Sequence, residues 1–486
     1  MTINIHLKPA ARAASSLASS ALVALLLAAC ASPGPAHTPL AALSAAEAGL
    51  PNADSPLLAQ RWWRGLHDER LNQLVDQALE GSPSLAVARA RVERALAVAD
   101  VSESLGRPQG TLSAEVTRQR YTKNGLVPPP IAGNTWDSGT LQAGMSWSPD
   151  FFGQHAAELA SALGQARASQ AEAVAAATAL AAQVSRTYVG LARLLAQRDI
   201  TARSLAQRQE VLGLTQKRAA AGLDSKVELT QSEAPLPDAR NQLEALDEQI
   251  MLTRRQLAVL AAQPPNALDR LAPTLDTLAL EPVAGELGAD LLGRRPDVSA
   301  ARWRVEAALQ DVKVARTQFY PNVNLGAFVG FNALGLNHVL DFGSRQMGVS
   351  PALRLPLFDG GRLRAQLSAR QSEVDVAIAQ YNGVVLDAVK EAGDAIGSGQ
   401  FIERQQHEQA QAMASAEKAY ALALERFRAG LSNYLPVLNA ESQVLAQRRL
   451  AIDLKARQLD TRLALMKALG GGWSDDKVAW NTYGHP

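Results

Sequence analysis

The chain has 486 residues, with 48 lysines and arginines against 47 aspartates and glutamates, a net charge of +1 and a single cysteine. That balance argues against a nucleic-acid partner, which needs a marked basic excess, and a lone cysteine excludes a disulfide framework. No run of 18 consecutive apolar residues exists, so no transmembrane helix is predicted, and the seven histidines lack metal-ligand spacing.

At the N-terminus an apolar run of about 13 residues, Leu17 to Ala29, follows Lys8 and Arg12. It is too short to span a bilayer and fits the hydrophobic region of a secretory signal. The run closes on Leu27-Ala28-Ala29-Cys30, which resembles the lipobox of bacterial lipoproteins. That resemblance implies cleavage of residues 1–29 and a covalent lipid on Cys30. Ala31, standing where an aspartate would retain a lipoprotein at the inner membrane, implies sorting to the outer membrane. Cleavage leaves 46 basic against 47 acidic residues, a net charge of −1. Two or more acyl chains would hold residues 30–67 stably at the membrane surface.

The rest of the chain is one unit written twice. Residues 82–108 and 295–321 align without a gap, with Ala88, Arg89, Arg91, Val92 and Glu93 recurring as Ala301, Arg302, Arg304, Val305 and Glu306. A second match pairs Arg218, Gly222, Leu223 and Glu233 with Arg426, Gly430, Leu431 and Glu441. Tandem duplication predicts two copies of one structure. The first repeat covers 68–262, with a helix over 84–106, strands at about 110–121 and 139–149, a long proline-free helix over 154–217 and a returning helix over 226–262. Pro235 and Pro237 predict a kink or break in that returning helix. A linker over 263–295 leads to the second repeat, 296–472, with a helix over 297–319, strands at about 322–331 and 346–357, a long helix over 361–428 and a returning helix over 433–469. Residues 473–486 form a C-terminal tail.

Each strand alternates apolar and polar residues, as Leu112, Ala114 and Val116 against Ser113, Glu115 and Thr117. The lengths suit a membrane-crossing strand, with one face to lipid and one to water. Four strands cannot close a barrel, and an open sheet edge in hydrocarbon leaves backbone groups unpaired at several kcal/mol each. Insertion therefore requires two, three or four copies, giving 8, 12 or 16 strands.

Trp62-Trp63, "GRRPD" at 293–297, "PLFDGGR" at 356–362, "RFRAGLSNYLPVLNAES" at 426–442 and the "ALGGGW" ending at Trp473 jointly resemble the TolC/OprM-type outer-membrane efflux proteins, in their lipoprotein branch. The resemblance covers nearly the whole mature chain. It implies a mixed α/β membrane protein, a homotrimer whose 12-stranded outer-membrane β-barrel takes four strands per chain and continues into a long periplasmic α-helical barrel. An equatorial layer would form from the termini and the 263–295 linker. The implied function is a passive conduit in a tripartite efflux system with a periplasmic adaptor (membrane fusion protein) and an inner-membrane transporter, exporting drugs or other small molecules. No enzymatic activity and no cofactor beyond the lipid on Cys30 are expected. A conduit for type I protein secretion and a lipid-anchored coiled-coil scaffold without a pore are the alternatives.

Within the resemblance, adaptor contact is expected at the two reversals, through Arg218, Gly222, Leu223, Arg426, Gly430 and Leu431. The gate is expected at Leu435, as an apolar constriction, and at Asn439, where the family usually has aspartate. Three amides in place of three carboxylates on a threefold axis predict a closed state held by packing rather than charge, and little sensitivity to divalent cations.

Overall fold

The computed structural model describes residues 34–35, 37–52, 58–281 and 288–473. Cys30 and the tail beyond Trp473 lie outside the described residues. In chain order the elements are α1 (Glu69–Gly81), α2 (Pro83–Leu105), β1 (Gln109–Arg120), β2 (Thr135–Trp147), α3 (Gln154–Ala220), α4 (Lys226–Glu233), α5 (Pro235–Leu260), α6 (Leu291–Arg294), α7 (Pro296–Thr317), β3 (Asn322–Leu334), β4 (Arg345–Arg354), α8 (Arg362–Arg428) and α9 (Leu435–Ala468). Contacts divide the chain into two units, one of residues 1–41, 93–167 and 302–380, the other of 42–92, 168–301 and 381–486.

The first unit holds an antiparallel sheet in the order β1-β2-β3-β4. Its register puts Leu112 opposite Ala143, Ala143 opposite Val329 and Val329 opposite Met347, so most apolar residues of the four strands share one face. On that face Leu112, Val116, Met347, Val349 and Leu353 are 69–76 % exposed. A sheet that faced water would not carry so broad an apolar surface. The band ends at one side in Arg118, paired with Asp137 at 3.7 Å, and at the other in the exposed aromatics Phe151, Phe152, Tyr320 and Phe358. Aromatic residues at the strand ends are the usual marker of a membrane–water interface. The opposite face carries hydroxyls, amides and glycines, with Glu115 and Arg354 as its charged residues. Phe328 also lies there, opposite Gly144 and Gly348, and its ring occupies the space a Cβ at Gly348 would need.

Both strand-to-helix junctions use the same device. Asp150 Oδ2 accepts from the Ala156 N–H at 2.9 Å, and Asp359 accepts from the Gly361 and Leu363 N–H groups at 3.0 and 2.8 Å. These carboxylates satisfy N–H groups that the first turn of α3 or α8 leaves open. Gly153, Gly360 and Gly361 take positive φ and let the chain turn into each helix. Below the junction Phe319, Val312, Leu363, Leu367, Val374 and Ile378 form a core between α7 and α8.

The second unit is helical. Trp62 and Trp63, edge to face at 5.7 Å, pack with α1, α3, α5 and α9 around Tyr188, Leu191, Leu257 and Leu463. The Tyr188 hydroxyl donates to Asp68, whose other carboxylate oxygen caps α1. Polar pairs fix how the helices run. Arg186 meets Asp460, Arg193 meets Asp453 and Arg208 meets Glu441, so α3 and α9 are antiparallel. Arg198 with Asp247 sets α3 against α5 in the same sense, and Arg448 with Glu417 sets α9 against α8. The first repeat's long helix thus lies between its own returning helix and that of the second repeat.

Several boundaries differ from the expected ones. β2 begins at Thr135, because Arg120 pairs with Thr135 and the hairpin zips four residues past the alternating segment. β4 ends at Arg354, two residues before Pro356, which has no N–H to offer a partner. The first returning segment is two helices: α4 stops at Glu233, and Pro235 starts α5 as its first residue, where a missing N–H costs nothing. The 263–295 segment carries Leu268, Leu275, Leu278 and Leu280 into the second unit's core.

Candidate functional site

The candidate site is the paired reversal at the far ends of α3 and α8. Each helix ends on a glycine at φ 73°, Gly222 and Gly430. Leu223 N–H bonds the Arg218 carbonyl at 2.9 Å, and Leu431 N–H bonds the Arg426 carbonyl at 2.8 Å. This closing bond satisfies a terminal carbonyl of each helix and requires the left-handed residue before it. No neighbour crowds Gly222, so its φ alone demands glycine there. Each turn leaves its leucine outward, Leu223 at 68 % exposure and Leu431 at 71 %.

The two arginines that the repeat equates are used differently. Arg218 donates from Nε and Nη2 to the Asp224 carboxylate at 2.8 and 3.0 Å, and its guanidinium lies 5.1 Å from the Phe427 ring. It braces one reversal against the other from a largely buried position. The residue matching Asp224 in the second copy is Ser432, and Arg426 is exposed. Beneath the turns Phe427, Tyr434 and Val437 are fully packed, with Phe427 and Tyr434 rings 5.7 Å apart. Burial, then the charge of Glu441, pushes the Tyr434 hydroxyl up to about 12.

Leu435 and Asn439 stand one turn apart on α9, both exposed, while Val437, Glu441 and Val444 of the same helix are buried. Glu441 is the residue that pattern reading missed. Its carboxylate, 5 % exposed, accepts from Ser204 Oγ at 3.0 Å and Arg208 Nε at 3.2 Å. Arg208 Nη1 donates onward to the Pro235 carbonyl at 3.3 Å. One guanidinium therefore ties α3 to α9 and to the start of α5, directly behind the expected gate. Glu233, the matching residue of the first repeat, is exposed.

The signature motifs "GRRPD" and "ALGGGW" meet away from the tip. Arg295, 4 % exposed, donates to both oxygens of Asp297, to Glu391 and to the Ala468 carbonyl that ends α9. Gly470, at φ 85°, passes against the Arg294 carbonyl, where any Cβ would collide. These motifs therefore build the joint between α7, α8 and α9. Burial raises the Asp297 carboxyl, but the hydrogen bond and charge of Arg295 outweigh it and hold the group below the usual carboxylate range.

Among the described residues no helix is long and apolar enough to cross a membrane, and no group of three His, Cys, Asp or Glu side chains could hold a metal.

The profile of the outer membrane efflux protein family matches residues 74–263 and 287–471, one segment for each repeat. The chain belongs to this family. It is 32 % identical over 425 residues to the multidrug resistance outer membrane protein MdtQ of Escherichia coli, covering 85 % of this chain and 88 % of that one. It is 29 % identical over 430 residues to MdtP of the same species, covering 86 % of this chain and 87 % of that one. The crystal structure of the outer membrane protein VceC of Vibrio cholerae superposes with a TM-score of 0.81 at 34 % identity, over 85 % of this chain and 99 % of VceC.

Proposed function

We propose that three copies of this chain close a 12-stranded barrel in the outer membrane and form the exit duct of a drug efflux system. The observation that carries this is the sheet: one largely exposed apolar face, one polar face, and two edges, β1 and β4, left unpaired among the described residues. In hydrocarbon those edges must pair with neighbouring copies, and the polar face then lines water. Twelve strands leave room for an aqueous lumen, whereas eight would be filled by side chains. The relatives' names, multidrug resistance outer membrane proteins, support the kind of cargo.

A periplasmic adaptor meets the tip through Leu223 and Leu431, with Arg426 exposed beside them and Gly222 and Gly430 shaping the turns. Arg218 contributes by holding the two reversals together. Leu435 and Asn439 narrow the tip from three sides. Opening moves the start of α9 outward, a shift between two packings that adaptor binding biases. The transporter that energises export lies in the inner membrane, and Cys30 carries the lipid anchor. The chain itself performs no chemical step.

The test is planar-bilayer conductance of purified protein together with drug susceptibility of a deletion strain. Large, long-lived conductance steps and restored resistance on complementation are expected. Absence of conductance in a folded, membrane-extracted preparation refutes the duct.

A further inference from the structure

The apolar face of the sheet ends in cations at one rim. Beyond Leu112 and Val116 the same face of β1 continues as Arg118 and Arg120, and beyond Met347 the same face of β4 closes with Arg345. All three arginines are exposed. Asp137 meets Arg118 loosely at 3.7 Å, and Asp341 in the loop after β3 is held by His338 at 2.7 Å. Three arginines against Asp137 leave an excess of two positive charges on this rim. The strands lead into the long helices at the opposite rim, so the cationic rim is the one turned to the exterior.

The stagger of the strands puts these cations at one height. Arg345 stands opposite Phe331, Phe331 opposite Leu141 and Leu141 opposite Ala114, which is six residues short of the end of β1 at Arg120. At the other rim Gln109 leads across Ser146 and Gly326 to Ser350, four residues before the end of β4 at Arg354. Both ends slip in the same sense, on average about 16 Å along the strands for about 14 Å across them. That inclination, roughly 50°, is near the tilt of barrel strands, so the line joining the strand ends lies in the membrane plane and carries Arg118, Arg120 and Arg345 together.

The loop between β3 and β4 joins this surface. A Cβ on Gly139, which lies on the apolar face opposite Val116 and Ala333, would strike Val339 and Leu336, so the loop folds outward over that face. Its Leu336, Leu340 and Phe342 are 49–75 % exposed. Arg345 donates from Nε to the Phe342 carbonyl at 2.8 Å, and its guanidinium lies against the Phe342 ring. Apolar side chains thus flank the cations at the height where acyl chains give way to headgroups.

We propose that Arg118 and Arg120 of one copy and Arg345 of its neighbour bind the phosphate of an outer-leaflet glycolipid at the seam between copies. The inference rests on the closure of the barrel proposed above, which sets β4 beside β1 of the next chain. Across that seam the arginines stand one strand spacing apart, about 5 Å, whereas within one chain three spacings, about 14 Å, separate them. Guanidinium forks match phosphate oxygens two at a time, and arginines directly above a lipid-facing band meet headgroups. The phosphate bridges two copies at the level where their strands end.

The test is native mass spectrometry of the detergent-solubilised protein with bisphosphorylated lipid A or its dephosphorylated form. Three phosphorylated lipids per trimer are expected, retained at least tenfold better than the dephosphorylated form. Arg345→Gln, or Arg118→Gln with Arg120→Gln, should weaken retention about tenfold for each arginine removed, with conductance unchanged. Coexpression of these two variants places them in mixed trimers, resolved by mass, in which one seam joins an intact Arg345 to an intact Arg118 and Arg120. Those mixed trimers should regain one tight lipid.

Equal retention of the two lipids by the wild type, or displacement of the phosphorylated one by an equal concentration of inorganic phosphate, overturns the lipid site. Mixed trimers that bind no better than either parent overturn its position at the seam. The same spectra count chains: a single chain per particle refutes the closure and the seam with it, whereas trimers indifferent to phosphorylation refute the lipid site alone.

Discussion

Replacing Glu441 by leucine removes the acceptor behind the gate and leaves Arg208 buried with, among the described residues, the Pro235 carbonyl as its polar partner. At 3.2 Å and an effective dielectric of about 20, the pair's attraction is on the order of 5 kcal/mol. Most of that offsets the desolvation of two charges, so the intact pair adds little net stability, whereas an orphaned charge costs about 3–5 kcal/mol. Ser204 can turn its hydroxyl to its own helix and loses little. Arg208→Met with Glu441→Leu should therefore recover to within about 1 kcal/mol of wild type. Hydrogen exchange reads this locally, since tip amides open with their own free energy. In Glu441→Leu, protection over the first turns of α9 should fall about a hundredfold, equivalent to roughly 3 kcal/mol, and most of it should return in the double variant. Protection within threefold of wild type in the single variant, or a double variant as exposed as the single, would refute the reasoning.

Three further outcomes are expected. Asn439→Asp should make single-channel conductance sensitive to millimolar divalent cations, which wild type resists; equal block of the two would show that other residues control the gate. Gly470→Ala forces a Cβ onto the Arg294 carbonyl at a positive φ and should abolish assembly on native gels, whereas Gly222→Ala, with open space around it, should cost only about 1–2 kcal/mol. Because the folded state holds Asp297 below its ordinary value, its contribution is complete above the unfolded carboxylate range near 4. It is lost as pH falls through the lower folded value, so stability measured by denaturant unfolding should drop as pH falls below about 4, and Asp297→Asn should flatten that limb.

Much of the fold was legible in the residues. Strand alternation placed all four strands, and the prolines placed the break before α5. The duplication equated the two reversals, and their capping bonds recur in both. What escaped depended on distant partners. Glu441 and Arg208 are 233 residues apart, and nothing local separates buried Glu441 from its exposed counterpart Glu233. Arg218 and Arg426 share a motif, yet only the first has an aspartate, Asp224, six residues on; Ser432 in the second copy cannot form the ion pair. The start of β2 escaped because "TWDS" does not alternate, and backbone pairing with β1 extends it regardless.

Closure of the sheet by neighbouring copies is the claim on which the duct, the gate and the adaptor site all stand. Native mass spectrometry of the protein released from detergent micelles counts the copies directly. Three chains per particle, with β1 of one crosslinking to β4 of the next through cysteines placed at Ser113 and Ser350, is the expected result. A single chain per particle that retains its strands in lipid contradicts it.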